Sequence, residues 1–353
     1  MATSEYVILI PTGRHFYLNR LVDYYDYCGE LSRVMVLDCS KTPWERSHSK
    51  EFTYHHLPGL SFMARLKFAL DNTQAQYFSM CADDDFFIPD GIKSCVRFLD
   101  DHKDYSAAFG RYVRFSIKDT ILYSEQYPRE HHRDLSQEAP AARLLDMIDC
   151  YIQLFYAVHT RRVFQQITEI EEMYDDTHFM NACGERIFTI LPPLMGKVKS
   201  INEACVLREQ ENHKSSRQLS YYSMAKAWVV CNEVMLRMMG EFGADTPFTR
   251  ETLAFFVEKW LYAHFSSEIE SRGEPRLLPK SPGMDDWLDR DTDNLAYITY
   301  RGKKFIPSDF SHIPAMGFDN QGASEEAIHV VDQFLKRFVR DYVRCKMESK
   351  KAT

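Results

Sequence analysis

Three consecutive carboxylates, Asp83, Asp84 and Asp85, follow a short apolar run and are the strongest chemical signal in the sequence. Like charges held together at a partly buried position repel each other, so such a cluster needs a compensating cation. A hard divalent ion, bound by one or two carboxylates and by substrate phosphates, is a suitable compensator. The alternative is that one Asp caps the following helix while the other two are solvated.

Further polar residues stand at the ends of other apolar runs. Thr12 and Arg14 follow the run 7–11, and Asp38 follows the run 34–37. Continuous apolar runs of this length are typical of strands buried on both faces. In an open parallel sheet, ligands bind beyond the carboxyl ends of the strands, so the pattern predicts a binding site at this edge.

The elements that must position these residues alternate between strands and helices. This alternation predicts an α/β fold with a mostly parallel sheet covered by helices on both faces. The predicted strands are 7–11, 34–37, 52–56, 77–81 and 106–117, and the predicted helices run through 18–28, 62–70 and onward from Pro89.

The rest of the chain has a different pattern. We predict helices over 161–173 and 177–191, the second ended by Pro192 and Pro193. Two short strands, 198–201 and 204–207, follow. Beyond residue 218 the sequence predicts long helices over 219–239, 250–268 and 325–347, with a Pro/Gly/Asp-rich loop over 272–324.

Composition excludes several classes of protein. Acidic residues outnumber basic ones by 51 to 43, which gives a net charge of −8 and argues against a nucleic-acid partner. The nine cysteines are scattered and lack C-x-x-C spacing, as expected of reduced thiols in a cytoplasmic protein. No apolar run reaches the roughly 18 residues of a transmembrane helix.

Four segments, in order, carry a family resemblance: 8–14, 36–40, 63–65 and 77–89. They resemble the nucleotide-binding half of family-2-like glycosyltransferases with the A-type (GT-A) fold. The Asp-Asp-Asp-Phe form of the D-x-D motif is similar to that of a bacterial subgroup of these enzymes. The resemblance implies a GT-A (Rossmann-like) sheet flanked by helices, with a helical C-terminal extension.

The same resemblance implies residues that bind the donor. Pro11, Thr12 and Arg14 would line the nucleotide pocket. Asp38 would accept a hydrogen bond from the base or ribose, and Arg65 would face the nucleotide or its diphosphate. The alternatives are a turn-forming Asp38 and an Arg65 on a solvated helix face.

The resemblance also implies a metal site for Mn²⁺ or Mg²⁺. Asp83 and Asp85 would form the D-x-D pair, Asp85 binding the metal directly, while Asp84 lies beside the donor. His213 would be a third ligand, and Arg208 would pair with phosphate. A divalent ion bridging two phosphates stabilises the charge on the departing diphosphate.

Sugar transfer with inversion also needs a base for the proton of the acceptor. Family-2-like enzymes carry it at the start of a helix in the second half of the domain, and Glu185 has the matching position. Asp175 or Asp176 could serve instead. A charged helix residue with no catalytic task remains the alternative for Glu185.

The resemblance thus predicts a metal-dependent, inverting glycosyltransferase of surface polysaccharide assembly. The donor would be a nucleotide sugar, a UDP-sugar as the first choice, and the acceptor a glycan or a lipid-linked glycan. A sugar-phosphate nucleotidyltransferase and an inactive scaffold of the same fold are the alternatives.

The predicted domain division is a catalytic domain over 1–217, with 1–118 binding the nucleotide sugar and 119–217 on the acceptor side, and a helical region over 218–353. Apolar stripes on the later helices predict core or subunit contacts, including a homodimer. The last helix is basic and amphipathic. It either contacts an anionic membrane surface, which would place the protein at the inner face of the membrane, or packs on the catalytic domain.

Overall fold

The computed structural model describes residues 5–45, 52–117, 121–125, 133–149, 152–169, 177–209, 288–290, 296–300 and 303–305. The first half alternates strands and helices as predicted, with most bounds within two residues of the predicted ones. Its elements are β1 (Tyr6–Thr12), α1 (His15–Tyr27), β2 (Val34–Asp38), β3 (Thr53–His56), α2 (Phe62–Asp71), β4 (Tyr77–Met80), β5 (Phe86–Phe87), α3 (Pro89–Asp101) and β6 (Tyr105–Ile117), with a 3-10 turn at Leu31–Arg33.

The second half adds strands to the same sheet and helices over it. Its elements are β7 (Ile121–Glu125), α4 (Pro140–Asp149), β8 (Val158–Thr160), α5 (Arg161–Glu169), α6 (Thr177–Met195) and β9 (Lys197–Glu209). A separate three-stranded antiparallel sheet contains β10 (Leu288–Arg290), β11 (Ala296–Tyr300) and β12 (Lys303–Phe305).

The main sheet has nine strands in the order β3-β2-β1-β4-β8-β6-β9-β5, with β7 paired to β6. Strands β1 to β4 are parallel, and so are β6 and β9. The short strands β5, β7 and β8 are antiparallel to their neighbours, so the sheet is mixed. The predicted fold class, a Rossmann-like α/β sheet flanked by helices, is confirmed.

Two apolar layers cover the sheet because successive strand residues point to opposite faces. Ile8 and Ile10 of β1 belong to the layer that contains the apolar residues of α1 and α3. Val7 and Leu9 belong to the layer that contains those of α2, α4, α5 and α6. The carboxyl ends of β1, β2 and β4 lie together at one edge of the sheet, between these two layers.

The prediction that Pro192 ends α6 is wrong, since the helix continues to Met195. A proline lacks its own N–H and its ring crowds the carbonyl four residues earlier, yet helical bonding continues beyond it, since the Gly196 N–H donates to the Pro192 carbonyl at 3.0 Å. Side chains from elsewhere also satisfy the last turn: Ser106 Oγ donates to the Pro192 carbonyl at 2.7 Å and Arg143 Nε to that of Pro193 at 2.6 Å. Tertiary contacts therefore stabilise the end of this helix.

Two other predictions need correction. The strands predicted at 198–201 and 204–207 form one continuous strand, β9, which pairs with β6 through register shifts. The predicted loop over 272–324 contains β10, β11 and β12, joined by backbone pairing that the turn-rich composition does not reveal. The predicted helices beyond residue 218 lie outside the described residues.

Among the helices of the described part of the chain, none has both the length and the apolarity that a bilayer crossing requires.

Candidate functional site

The site forms where three parallel strands end side by side. Thr12 and Asp38 are the last residues of β1 and β2 and stand opposite each other in the sheet register. The Cys39 N–H donates to the Thr12 carbonyl at 2.9 Å, which continues the pairing past the strand ends. The three aspartates follow β4, the neighbour of β1 on its other side. The convergence expected from the sequence is therefore present.

Asp83 is buried and bound by residues from the β1 end. Thr12 Oγ1 donates to its Oδ2 at 2.7 Å, and Arg14 Nε donates to the same oxygen at 3.1 Å. Arg14 Nη2 also pairs with Asp83 Oδ1 and lies 3.1 Å from Asp84 Oδ2. Burial raises the pKa of Asp83, although Arg14 and Thr12 act to lower it. The Arg14 side chain remains 49% exposed, so its guanidinium stands at the mouth of the site.

Asp85 is buried deeper and is bound by the second half of the chain. Tyr156 Oη donates to Oδ2 at 2.6 Å, the Glu209 N–H donates to Oδ1 at 2.9 Å, and Arg208 Nε lies 3.4 Å from Oδ2. Burial raises the pKa of Asp85 to about 6; Arg208 opposes the increase and the adjacent Asp84 adds to it. The end of β9 thus completes a site that begins in the first half of the chain.

Asp38 also accepts several hydrogen bonds. The Ser40 N–H donates to Oδ1 at 2.8 Å, Tyr54 Oη donates to Oδ2 at 2.7 Å, and His15 Nε2 lies 2.9 Å from Oδ2. Burial acts to raise the pKa of this carboxyl, but the bonds from Ser40, Tyr54 and His15 outweigh it, and the pKa is lowered. Asp38 is therefore an ionised carboxylate that fixes the loop after β2.

Arg65 lies beneath the strand ends. Helix α2 begins after Ser61, whose Oγ accepts the Ala64 N–H at 3.1 Å as an N-cap. From this helix, Arg65 Nη1 donates to the carbonyls of Thr12 at 3.2 Å and Leu37 at 2.9 Å. The guanidinium is buried and joins the ends of β1 and β2, which differs from a solvated helix face.

A buried ion pair that was not predicted from the sequence lies next to the aspartates. Arg20 Nη1 lies 2.6 Å from Glu209 Oε2, and the two side chains are only 7% and 2% exposed. Arg20 Nη2 also donates to the Asp84 carbonyl. The burial of Arg20 could have been predicted from its position on the apolar face of α1, between Tyr17 and Tyr24 at helical spacing.

Glu185, the predicted base, is exposed and connects to this site through one side chain. Gln153 Nε2 donates to Glu185 Oε2 at 3.4 Å, and Arg208 Nη1 donates to Gln153 Oε1 at 3.3 Å. Arg208 in turn lies against Asp85 and over the Tyr156 ring, 5.0 Å from its centroid. The other predicted site residues, Asp176 and His213, lie outside the described residues, as does Asp175.

The carboxylates fit a divalent cation in part. Each oxygen of Asp85 accepts one clear hydrogen bond and keeps a second lone pair. Both oxygens of Asp83 face Arg14, whose half-exposed side chain would have to yield one of them. In the described residues, no three or more His, Cys, Asp or Glu side chains are placed so that together they could hold a metal ion. A cation here would therefore take further ligands from substrate phosphates or from outside this set.

No family model matches the chain, and no curated protein matches it. Among solved structures, S. aureus TarS 1-349 is similar with a TM-score of 0.44 and 12% identity, over 89% of this chain and 100% of that chain. The same fragment in complex with UDP-GlcNAc has a TM-score of 0.43 and 13% identity, with the same coverage. Its complex with UDP has a TM-score of 0.42 and 12% identity, over 86% of this chain and 98% of that chain.

Proposed function

We propose that the protein is a glycosyltransferase that moves a sugar from a nucleotide-sugar donor, with a UDP-sugar as the first choice, to a glycan or lipid-linked acceptor. The observation that carries the proposal is the connected set of Thr12, Arg14, Asp83 and Asp85 at the carboxyl edge of a parallel sheet. This edge is where open α/β sheets bind nucleotides.

The half-exposed Arg14 is the residue suited to exchange partners when the donor binds. Its guanidinium now pairs with Asp83 and Asp84, and the same planar donors match two oxygens of a diphosphate. Arg208 is a second guanidinium on the other side of Asp85. In this proposal Pro11, Thr12 and Asp38 line the nucleotide pocket, and Arg65 holds their strand ends in place.

A metal ion belongs to the proposal. Asp83 and Asp85 would hold Mn²⁺ or Mg²⁺, with His213 as the proposed third ligand. When bound, such an ion supplies Lewis-acid stabilisation of the negative charge on the departing diphosphate.

Glu185 is the proposed base. Its carboxylate is exposed to an incoming acceptor, and its hydrogen bond from Gln153 connects it to Arg208 and so to the donor side of the site. It would take the proton of the acceptor hydroxyl as that oxygen attacks the sugar from the face opposite the diphosphate, with inversion. Asp176 is the alternative base.

Two substitutions test this role. Glu185→Gln removes the base while keeping an amide partner for Gln153, so we expect sugar transfer to fall roughly 100-fold or more with unchanged donor binding. Glu169→Gln, at a glutamate that accepts hydrogen bonds from Gln165 and Gln166 within α5, is the control. Normal transfer by Glu185→Gln would assign the base elsewhere.

Calorimetric titration of UDP-, GDP- and CDP-sugars, with and without Mn²⁺, tests the proposed activity itself. We expect one donor class to bind more tightly with the metal present. No binding of any donor, with no effect of the metal, would refute the proposal. Product analysis separates it from a nucleotidyltransferase, because sugar transfer releases a nucleoside diphosphate and nucleotidyl transfer releases pyrophosphate.

The acceptor and the location complete the proposal. We place the protein in surface polysaccharide assembly in the cytoplasm, with the basic helix predicted over 325–347 as the segment for contact with the inner membrane face. The division into a catalytic domain over 1–217 and a helical region over 218–353, and a homodimer through that region, are parts of the same proposal.

A further inference from the structure

A second concave surface lies at the opposite edge of the sheet, near the amino end of β1. This pocket has a volume of about 330 Å³, and the polar side chains in its lining are Tyr6, Glu30, Ser32, Arg33, Lys93 and Arg97. Tyr6 begins β1 and Thr12 ends it. Six residue steps of about 3.3 Å separate the pocket from the candidate donor site by about 20 Å. It is therefore a different site.

The only carboxylate among the lining residues is already neutralised within the protein. Tyr6 Oη donates to Glu30 Oε2 at 3.0 Å, and the Lys93 ammonium pairs with Glu30 Oε1. Burial, and then Glu30, raise the pKa of Tyr6, so the phenol keeps the proton that it donates. Glu30 and Lys93 thus balance each other.

Two guanidinium groups remain. Arg33 lies over the Tyr6 ring, 5.1 Å from its centroid, and Arg97 Nη2 donates to Ser94 Oγ at 2.8 Å. Within the part of the chain that the structure describes, neither has a carboxylate at ion-pair distance. Asp90 is exposed at the start of α3, and its charge helps to raise the pKa of Tyr6, but it does not line the pocket. The pocket therefore carries positive charge on a protein whose net charge is −8.

We propose that this pocket binds a phosphate group of a small molecule, such as pyrophosphate or a phosphate monoester. Each guanidinium offers a planar set of N–H donors that matches two phosphate oxygens, and two positive charges match a doubly charged anion. Stacking on Tyr6 holds Arg33 in place, which lowers the entropic cost of binding. A lipid headgroup presents the same phosphate chemistry, but a concave pocket of this size favours a free ion.

Methyl NMR with inorganic pyrophosphate, in EDTA, tests the proposal. Val96 lines the pocket, whereas Val163 lies on α5 in the other apolar layer, so the two methyl signals report on different regions. We expect saturable shifts at Val96 and none at Val163. We expect Arg33→Ala/Arg97→Ala to weaken binding at least tenfold, and Arg162→Ala, at an exposed arginine on α5, to leave it unchanged. Shifts of Val96 that survive the double substitution, or that never saturate, would overturn the proposal.

Two further arms separate this site from other sources of binding. Arg14→Ala should leave the Val96 shift intact; its loss in that variant would assign the pyrophosphate to the donor site instead. Sedimentation with phosphatidylglycerol vesicles tests the headgroup. Vesicle binding that depends on Arg33 and Arg97, without a Val96 response to pyrophosphate, would show that the pocket binds a membrane headgroup and not a free phosphate. These results do not depend on whether the protein transfers sugars.

Discussion

Two carboxylates at the same edge of the sheet have nearly the same donors and opposite pKa shifts. Asp38 and Asp85 each accept one backbone N–H at 2.8 to 2.9 Å and one tyrosine hydroxyl at 2.6 to 2.7 Å. Each also lies near a nitrogen of a basic side chain, His15 Nε2 for Asp38 and Arg208 Nε for Asp85. Yet the pKa of Asp38 is lowered, while that of Asp85 is raised to about 6.

The difference comes from what surrounds the hydrogen bonds. Asp38 is fully buried, but the hydrogen bonds from Ser40, Tyr54 and His15 outweigh the effect of burial on its pKa. At Asp85 the effect of burial prevails over its hydrogen bonds and over Arg208, and Asp84 adds negative charge beside it. Asp38 is therefore suited to holding a loop. The negative charge of ionised Asp85 is not fully compensated within the protein, so a ligand that brings positive charge can stabilise it.

The largest expected effect is on activity. Asp85→Asn keeps the shape and the acceptor for the Glu209 N–H but removes the charge, so we expect sugar transfer to fall roughly 100-fold or more. The release of nucleoside diphosphate measures this rate, and circular dichroism checks the fold. Asp71→Asn, at a 57% exposed residue that pairs with Lys67 on the surface of α2, is the matched control. Full activity of Asp85→Asn would remove Asp85 from the mechanism.

The second prediction concerns pH in the metal-free protein. The folded-state pKa of Asp85, about 6, is above its ordinary value of 3.8. The folded protein therefore binds this proton more tightly, and the stability it provides is present below about pH 4 and lost as pH rises through 6. A shift of about two units corresponds to roughly 3 kcal/mol.

Urea unfolding of wild type and Asp85→Asn in EDTA between pH 4.5 and 7.5 measures this effect. We expect the variant to gain stability relative to wild type as pH rises, with the difference constant above about pH 7. A difference that does not change with pH would show that Asp85 has an ordinary pKa.

Asp38→Asn is expected to act in the opposite direction. Because the hydrogen bonds at Asp38 favour its ionised form, loss of the charge should destabilise the protein at pH 7 by about 2 kcal/mol. The contribution of Asp38 is present above its ordinary pKa and is lost as pH falls through the lowered one. Urea unfolding at pH 7 measures it, with the exposed Asp101→Asn as control. Stabilisation by Asp38→Asn would contradict the contrast with Asp85.

The smallest expected effects come from the two tyrosines. Tyr54→Phe and Tyr156→Phe each remove one hydroxyl donor and should cost about 1 kcal/mol of unfolding free energy. Only Tyr156→Phe should also move the pH-dependent stability change of Asp85 to higher pH, because the lost bond favours the ionised carboxylate. Tyr105→Phe, whose ring packs on Phe98, is the control. An equal pH response of both variants would mean that the two carboxylates are coupled.

The strands at the site could be predicted because they are buried on both faces, so their apolar residues form continuous runs. Strands β5 and β8 could not, because two or three residues carry no periodic pattern and only the pairing of Phe86 with Leu207 or of Phe78 with His159 defines them. Pro192 was misjudged for a similar reason: the donors that satisfy the helix end come from Ser106 and Arg143.

The amino-acid sequence by itself determined the parallel half of the sheet and the meeting of Thr12, Arg14, Asp38 and the three aspartates at its edge. Both follow from local patterns, since hydrophobic periodicity defines each strand and parallel strands end together. Only the tertiary structure decided that Arg20, Tyr156, Arg208 and Glu209 surround the aspartates. Between 64 and 189 residues of chain separate these partners, so only folding brings their charges into one site.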